Sequence, residues 1–187
     1  MRTLRDKGTK KLTVRDMAEV GLFTAVLVIC SWISIPSTVP FTLQTLAIFL
    51  SAGLLGTRKS VAAVIVYILL GAAGVPVFSG FRAGIGTILG PTGGYMIGFI
   101  PAVIIAGAGI SRFGRSFPVM AASMSAGLIV CYAFGTLWFA FVYTGAANVT
   151  GIGSILSMCV VPYIVPDAVK IILAAILSRR IYPLIRR

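Results

Sequence analysis

Pro162-Tyr-Ile-Val-Pro-Asp-Ala-Val-Lys170 (PYIVPDAVK) is the stretch on which the reading of this chain turns. It lies in a run from Met158 to Leu177 that is apolar apart from Asp167 and Lys170. Three residues apart on a helix, the two side chains share a face and can interact. An ionisable residue in a membrane-spanning segment costs about 2.5–3.5 kcal/mol on insertion scales, so a functional role is the first hypothesis. The alternative is an ion pair that only locks two helices together.

Composition supports reading that run as membrane-embedded. The chain has 187 residues, of which 58% are hydrophobic and 11% charged, and its mean hydropathy is +1.04. A soluble domain would carry about 25% charged residues. Twenty-one glycines suit closely packed membrane helices, where small residues let backbones approach. The net charge of +12 does not mark a nucleic-acid binder, because the basic residues fall between apolar runs rather than along one exposed stripe. Cys30, Cys131 and Cys159 lie in apolar stretches without metal-type spacing, and read as packing residues. There is no histidine to serve as a general base or metal ligand.

Taken in order, the chain predicts a basic segment over 1–15 and a membrane domain over 16–187. The apolar run from Val20 to Ile35 reads as a retained first helix rather than a cleaved leader. Helix 1 is expected over Asp16–Ile35, ended by Pro36 and a short uncharged loop to Pro40. Helix 2 is expected over Thr42–Leu55, short for a span, and helix 3 from the Arg58-Lys59 turn to Ala73. A glycine-rich irregular segment, Gly74 to Gly94, precedes helix 4 (Tyr95–Ile110), and helix 5 takes Phe117–Tyr143. After an uncharged loop over Thr144–Ser154, helix 6 starts at Ile155 or Pro166 and ends near Ile181. The fold class is therefore an all-α integral membrane protein with six transmembrane helices and no second domain.

Charge sets the expected orientation. With both termini cytoplasmic, the inner segments hold six, two, two and four basic residues, and the outer loops hold only Arg82. That alternation is what the positive-inside rule asks of six helices. The twelve residues from Asp167 to Arg179 make about 18 Å of helix, which puts Asp167 slightly outside the midplane. Lys170 is then too deep to reach the inner surface, and a buried partner or an outward-facing polar pocket is expected.

Several groups converge on that outer half. Asp167 and Lys170 together offer an acceptor and a donor, the pairing a urea or amide needs. Gln44 offers both kinds of group, or is an interfacial residue satisfied by water. Arg82 could hold an anionic ligand, or be a solvated loop cation. Tyr95 could stack on a ligand, or belong to the interfacial aromatic belt. Gly84-Ile-Gly86-Thr-Ile-Leu-Gly90 has no following lysine and the wrong spacing for a phosphate loop. Gly21 and Ala25 make a small-xxx-small face on helix 1, for packing within the bundle or against a partner. No Walker motif, carboxylate cluster or serine with a base is present, so the chain does not read as an enzyme.

VPFTLQT (39–45), GVPVFSGF (74–81), GPTGGYMIGF (90–99) and PYIVPDAVK (162–170), in that order, resemble the BioY family, the biotin-specific substrate-binding (S) components of energy-coupling factor (ECF) transporters. The resemblance runs from about Val20 to Lys170. It implies six helices, cytoplasmic ends and an outward-facing ligand pocket beneath the first and third loops. It further implies that Asp167 and Lys170 contact biotin, that Tyr95 and Gly94 belong to the pocket wall, and that Gln44 lies beneath the first loop. Arg82 stands where family members often have smaller or uncharged residues. Gly21 and Ala25 resemble the face that docks on a transmembrane coupling subunit, which two ATPase subunits would drive. The expected function is high-affinity biotin binding and uptake in the cell membrane, with biotin as transported ligand and no cofactor. A stand-alone carrier, proton-coupled through Asp167, is the alternative, and a structural protein with a purely internal ion pair is a third reading.

Overall fold

The computed structural model describes residues 13–37, 39–143 and 152–185. The expected basic segment 1–15 falls almost wholly outside these residues, as do positions 144–151 of the expected loop and the terminal Arg186 and Arg187. Helices α1 (Val14–Trp32), α2 (Gln44–Leu55), α3 (Thr57–Ala72), α4 (Ile85–Ile88), α5 (Gly93–Phe113), α6 (Phe117–Tyr143), α7 (Ile152–Cys159) and α8 (Val161–Ile185) carry almost all of the described chain.

Three stretches are long and apolar enough by themselves to cross a membrane: Gly93–Phe113, Phe117–Val142 and Gly153–Ile185. The α1 helix has Arg15, Asp16 and Glu19 in its first two turns, and α3 has only 16 residues. The 12 residues of α2 extend about 18 Å, less than the thickness of a bilayer core. Exposed Ile129, Leu137 and Phe141 on α6 give it an outer surface that lipid tolerates and water does not.

The most extensive helix pairing is α5 with α6, and glycine explains it. A Cβ on Gly127 would lie 2.6 Å from the Ala102 carbonyl oxygen, and one on Gly135 would lie 2.2 Å from the Tyr95 ring. Only bare backbone fits at such distances, and the absence of side chains there lets dispersion contacts form along both helices. Helix α2 is the hub of the bundle, packing on α1, α3, α5 and α8.

Several details differ from the sequence expectation: α1 ends at Trp32 rather than Ile35, Arg58 and Lys59 lie in the first turn of α3, α5 runs on to Phe113 rather than Ile110, and α8 to Ile185 rather than Ile181. The loop from Pro36 to Pro40 is flanked by paired strands, β1 (Ser34–Ile35) and β2 (Phe41–Thr42), with Ser34 opposite Thr42. Two-residue strands are too short to leave a period in the sequence. Helix 6 is α7 followed at once by α8, and Pro166 lies inside α8 rather than at its start. With Pro162 second in α8, the carbonyl four residues before Pro166 belongs to the helix's first turn, where the missing hydrogen bond weakens the helix least. The glycine-rich segment contains a 3₁₀ turn (Ser79–Phe81) and α4, and α5 begins at Gly93, two residues before Tyr95.

Candidate functional site

On α8, Tyr163, Asp167 and Lys170 sit at i, i+4 and i+7, so one helical face carries all three. That face looks into a cavity holding ≈ 690 Å³ of space between atoms, its mouth included. The β2 strand contributes Thr42, the start of α2 Gln44 and Thr45, α5 contributes Tyr95, Met96 and Phe99, and α6 contributes Cys131 and Tyr132. Val39, Pro40 and Phe78 close it from the hairpin and the glycine-rich segment, and Tyr67 and Cys159 complete the wall.

The polar corner of the cavity is built around a carboxylate. Asp167 and Lys170 are 3% and 5% exposed, and Lys170 Nζ lies 2.7 Å from Asp167 Oδ1. Thr45 Oγ1 donates to the same oxygen at 2.9 Å, and Tyr132 OH donates to Oδ2 at 2.5 Å. Lys170 also donates to the Thr42 carbonyl at 2.6 Å and stands 4.0 Å from the centre of the Phe41 ring. A buried ion pair repays its desolvation only when further hydrogen bonds satisfy both partners. Here they do, with donors drawn from α2, α6 and α8.

A second polar group lies beside it. Gln44 Nε2 donates to Tyr67 OH at 2.5 Å, and Gln44 Oε1 accepts from Thr42 Oγ1 at 3.0 Å. Gln44 is therefore buried and held by protein groups rather than by interfacial water. Tyr67 in turn meets the Phe78 ring edge-on, with centroids 5.5 Å apart. Apart from Ser79 and Thr92 the rest of the wall is mainly apolar and aromatic, so a ligand here needs one polar face and an apolar body.

The structure brings Asp167, Lys170, Gln44 and Tyr95 to one cavity. Tyr95 is 9% exposed, which rules out a place in an interfacial belt. Gly94 stands behind the wall, where a Cβ would come 2.1 Å from Trp138 Cβ. It shapes the site by letting α5 approach α6. Arg82 is exposed and lies outside the cavity lining. Gly21 and Ala25 line a separate shallow groove between α1 and α3, with Thr24, Val28, Val66 and Leu70. Thr45, Tyr67, Tyr132 and Tyr163 were not singled out from sequence. Each is a single polar tip on a different, largely apolar helix, which is the only signal they give.

Among the described residues no group of three or more Cys, Asp or Glu is placed to hold a metal ion. Cys30, Cys131 and Cys159 are free thiols, and the last two help to line the cavity as small apolar groups.

A family model described as the BioY family matches residues 5–187. The "Biotin transporter BioY" of Thermotoga maritima is 40% identical over 169 residues, covering 90% of this chain and 96% of that protein. The "Probable biotin transporter BioY" of Pyrococcus horikoshii is 37% identical over 172 residues, covering 91% and 98%. Among solved structures, the S-component for biotin from an ECF-type ABC transporter superposes with a TM-score of 0.80 at 25% identity, over 90% of each chain.

Proposed function

We infer the function from one premise, that this chain belongs to the BioY family: it binds biotin and serves as the substrate-binding S component of an ECF-type transporter for biotin uptake. It is a membrane protein of helical fold. We further propose that it is a multi-pass protein of the cell membrane, with one membrane domain over 16–187 and no enzymatic activity of its own. A transmembrane coupling subunit and two ATPase subunits would supply the energy, and the groove at Gly21 and Ala25 would face the coupling subunit.

The orientation proposed has both termini cytoplasmic and the pocket outward. Arg15, Lys59 and Arg115 support it, because all three reach the end of the bundle opposite the pocket. There Arg15 donates to the Ile185 carbonyl, Lys59 pairs with Glu19, and Arg115 covers the Tyr182 ring. An excess of lysine and arginine marks the cytoplasmic side.

The observation that carries the reading is the satisfied Asp167–Lys170 pair at the polar corner of an otherwise apolar cavity. In the proposed complex Asp167 accepts from a ureido N–H and Lys170 donates to a ligand oxygen, while the thiophane ring and valeryl chain occupy the apolar remainder. Gln44 and Tyr95 complete the wall. Truncating one partner of a buried charge pair costs about 2–5 kcal/mol of binding. Titration of purified protein with biotin therefore predicts a loss of at least about thirtyfold in Asp167→Asn and Lys170→Ala. Undiminished affinity in both variants, with folding intact, would remove these residues from the site.

A further inference from the structure

A glutamine amide has two ends of similar shape, a carbonyl that accepts and an NH2 that donates, and its partners decide which way round it sits. Gln44 lines the cavity and is 8% exposed, so protein groups make that choice. Nε2 meets the Tyr67 hydroxyl at 2.5 Å, and Oε1 meets the Thr42 hydroxyl at 3.0 Å. A hydroxyl can donate or accept, so neither contact fixes the amide by itself.

The direction is set further out, on α1. Ser31 Oγ donates to the Val77 carbonyl, and the Val28 carbonyl also lies 2.8 Å from it. A carbonyl only accepts, so the single Ser31 proton is committed to backbone oxygen. Ser31 also bonds to the Tyr67 hydroxyl, and there it can only accept. The Tyr67 proton is therefore taken by Ser31, and Tyr67 can only accept from Gln44. That makes Nε2 the end of the amide that faces Tyr67 and leaves Oε1 to accept from Thr42. Ser31 and Tyr67 are both 0% exposed, so solvent cannot reach the chain to reverse it.

The orientation matters because of where Oε1 ends up. Its partner Thr42 is also the residue whose carbonyl accepts from Lys170, so the amide oxygen belongs to the polar corner. In the reading above, Asp167 takes one ureido N–H and Lys170 donates to a ligand oxygen. A ureido ring has a second N–H, and Oε1 still has a lone pair to accept it. A reversed amide would set its NH2 against that N–H, donor against donor, and leave both unpaired in a buried site.

We propose that Tyr67 and Ser31 are positioning residues of the ligand site: they hold the Gln44 amide so that its oxygen, not its NH2, serves the ligand. The proposal rests on the biotin-binding reading above. Ser31 lies outside the cavity lining and acts only through Tyr67. The two residues come from α1 and α3, so the specificity of the pocket is set partly by helices that contribute no charge to it.

Calorimetric titration of purified protein with biotin, run as a double-mutant cycle, tests this. Tyr67→Phe keeps the ring and its edge-on contact with Phe78 but removes the hydroxyl. It is expected to weaken binding about three- to tenfold, the scale of one hydrogen bond. In a Gln44→Met background there is no amide to orient, and the same change is expected to leave Kd within about twofold. An equal loss in both backgrounds would overturn the proposal, by making the Tyr67 hydroxyl a ligand contact or a packing group in its own right. An unchanged Kd in both would overturn it as well. Ser31→Ala tests the chain from its outer end, where no ligand contact is at stake, and stands in if Tyr67→Phe does not fold. It is expected to weaken binding only while Gln44 is present, and an unchanged Kd, or a loss that persists in Gln44→Met, would contradict the proposal. Absence of biotin binding by the unmodified protein would instead sink the function on which the proposal rests.

Discussion

The two ends of this bundle each carry a cluster of opposite charges, built from similar groups for different ends. At the pocket, Asp167 and Lys170 have side chains only 4% and 6% exposed, and Thr45, Tyr132 and the Thr42 carbonyl satisfy them. At the opposite end, Lys59 lies 2.5 Å from both Asp16 and Glu19, with side-chain exposures of 17–23%. Arg15 adds a pair to Glu19 and a bond to the Ile185 carbonyl, so this clasp ties α1 to α3 and α8. A buried pair is a poor stabiliser compared with apolar packing, whereas one near water is inexpensive to keep and weak. On the proposed function the clasp serves assembly, and the buried pair serves recognition.

The largest effect separates those roles. Replacing one partner of the buried pair, as in Lys170→Ala, leaves an uncompensated charge and is expected to lower stability by about 3–5 kcal/mol. Replacing both, as in Asp167→Leu with Lys170→Met, is expected to restore stability to within about 1 kcal/mol of the original or above it. Thermal unfolding in detergent measures both. A double variant as unstable as the single ones would make the pair structural and erase the contrast.

A smaller effect tests the wall between. Gly135→Ala places a methyl against the Tyr95 ring, and such overpacking costs about 1–3 kcal/mol. Stability and biotin affinity should fall together, since the displaced ring lines the pocket. Gly21→Ala meets no atom within 4 Å and should change neither.

At the clasp, Lys59→Met is expected to cost at most about 1 kcal/mol, to shrink further in high salt, and to leave affinity untouched. Lys59 holds the Asp16 and Glu19 carboxyls, which precede the apolar run of α1, below their ordinary values of 3.8 and 4.5. For a carboxylate depressed in the folded state, the stabilisation is full above the ordinary pKa and is lost as pH falls through the folded one. The unmodified protein should therefore lose stability relative to Lys59→Met as pH drops below about 4.5, a difference that pH-resolved melting curves measure.

How far the sequence discloses this arrangement depends on the length scale involved. Helix 5 falls exactly where its apolar run says, at Phe117–Tyr143, because hydropathy and flanking arginines are local signals. Asp167 and Lys170 are legible because two charges stand out in an apolar run and a spacing of three puts them on one face. Tyr132 is not legible, since α6 is apolar all round and nothing local shows which of its aromatics meets a carboxylate 35 residues later. The Lys59 clasp and the hydrogen bond from Tyr163 to the Val39 carbonyl are hidden for the same reason, with partners 40 and 124 residues away. Arg82 shows how far a local signal reaches. A lone cation in a loop invites a ligand role, but charge does not fix placement, and the fold leaves its side chain exposed outside the cavity.

The central claim is that the buried pair exists to recognise the ligand. Calorimetric titration of biotin into the unmodified protein and into the Asp167→Leu, Lys170→Met double variant, both confirmed as folded, tests it most directly. The account predicts a saturable binding heat in the first and none in the second. A double variant that binds biotin with undiminished affinity would contradict it.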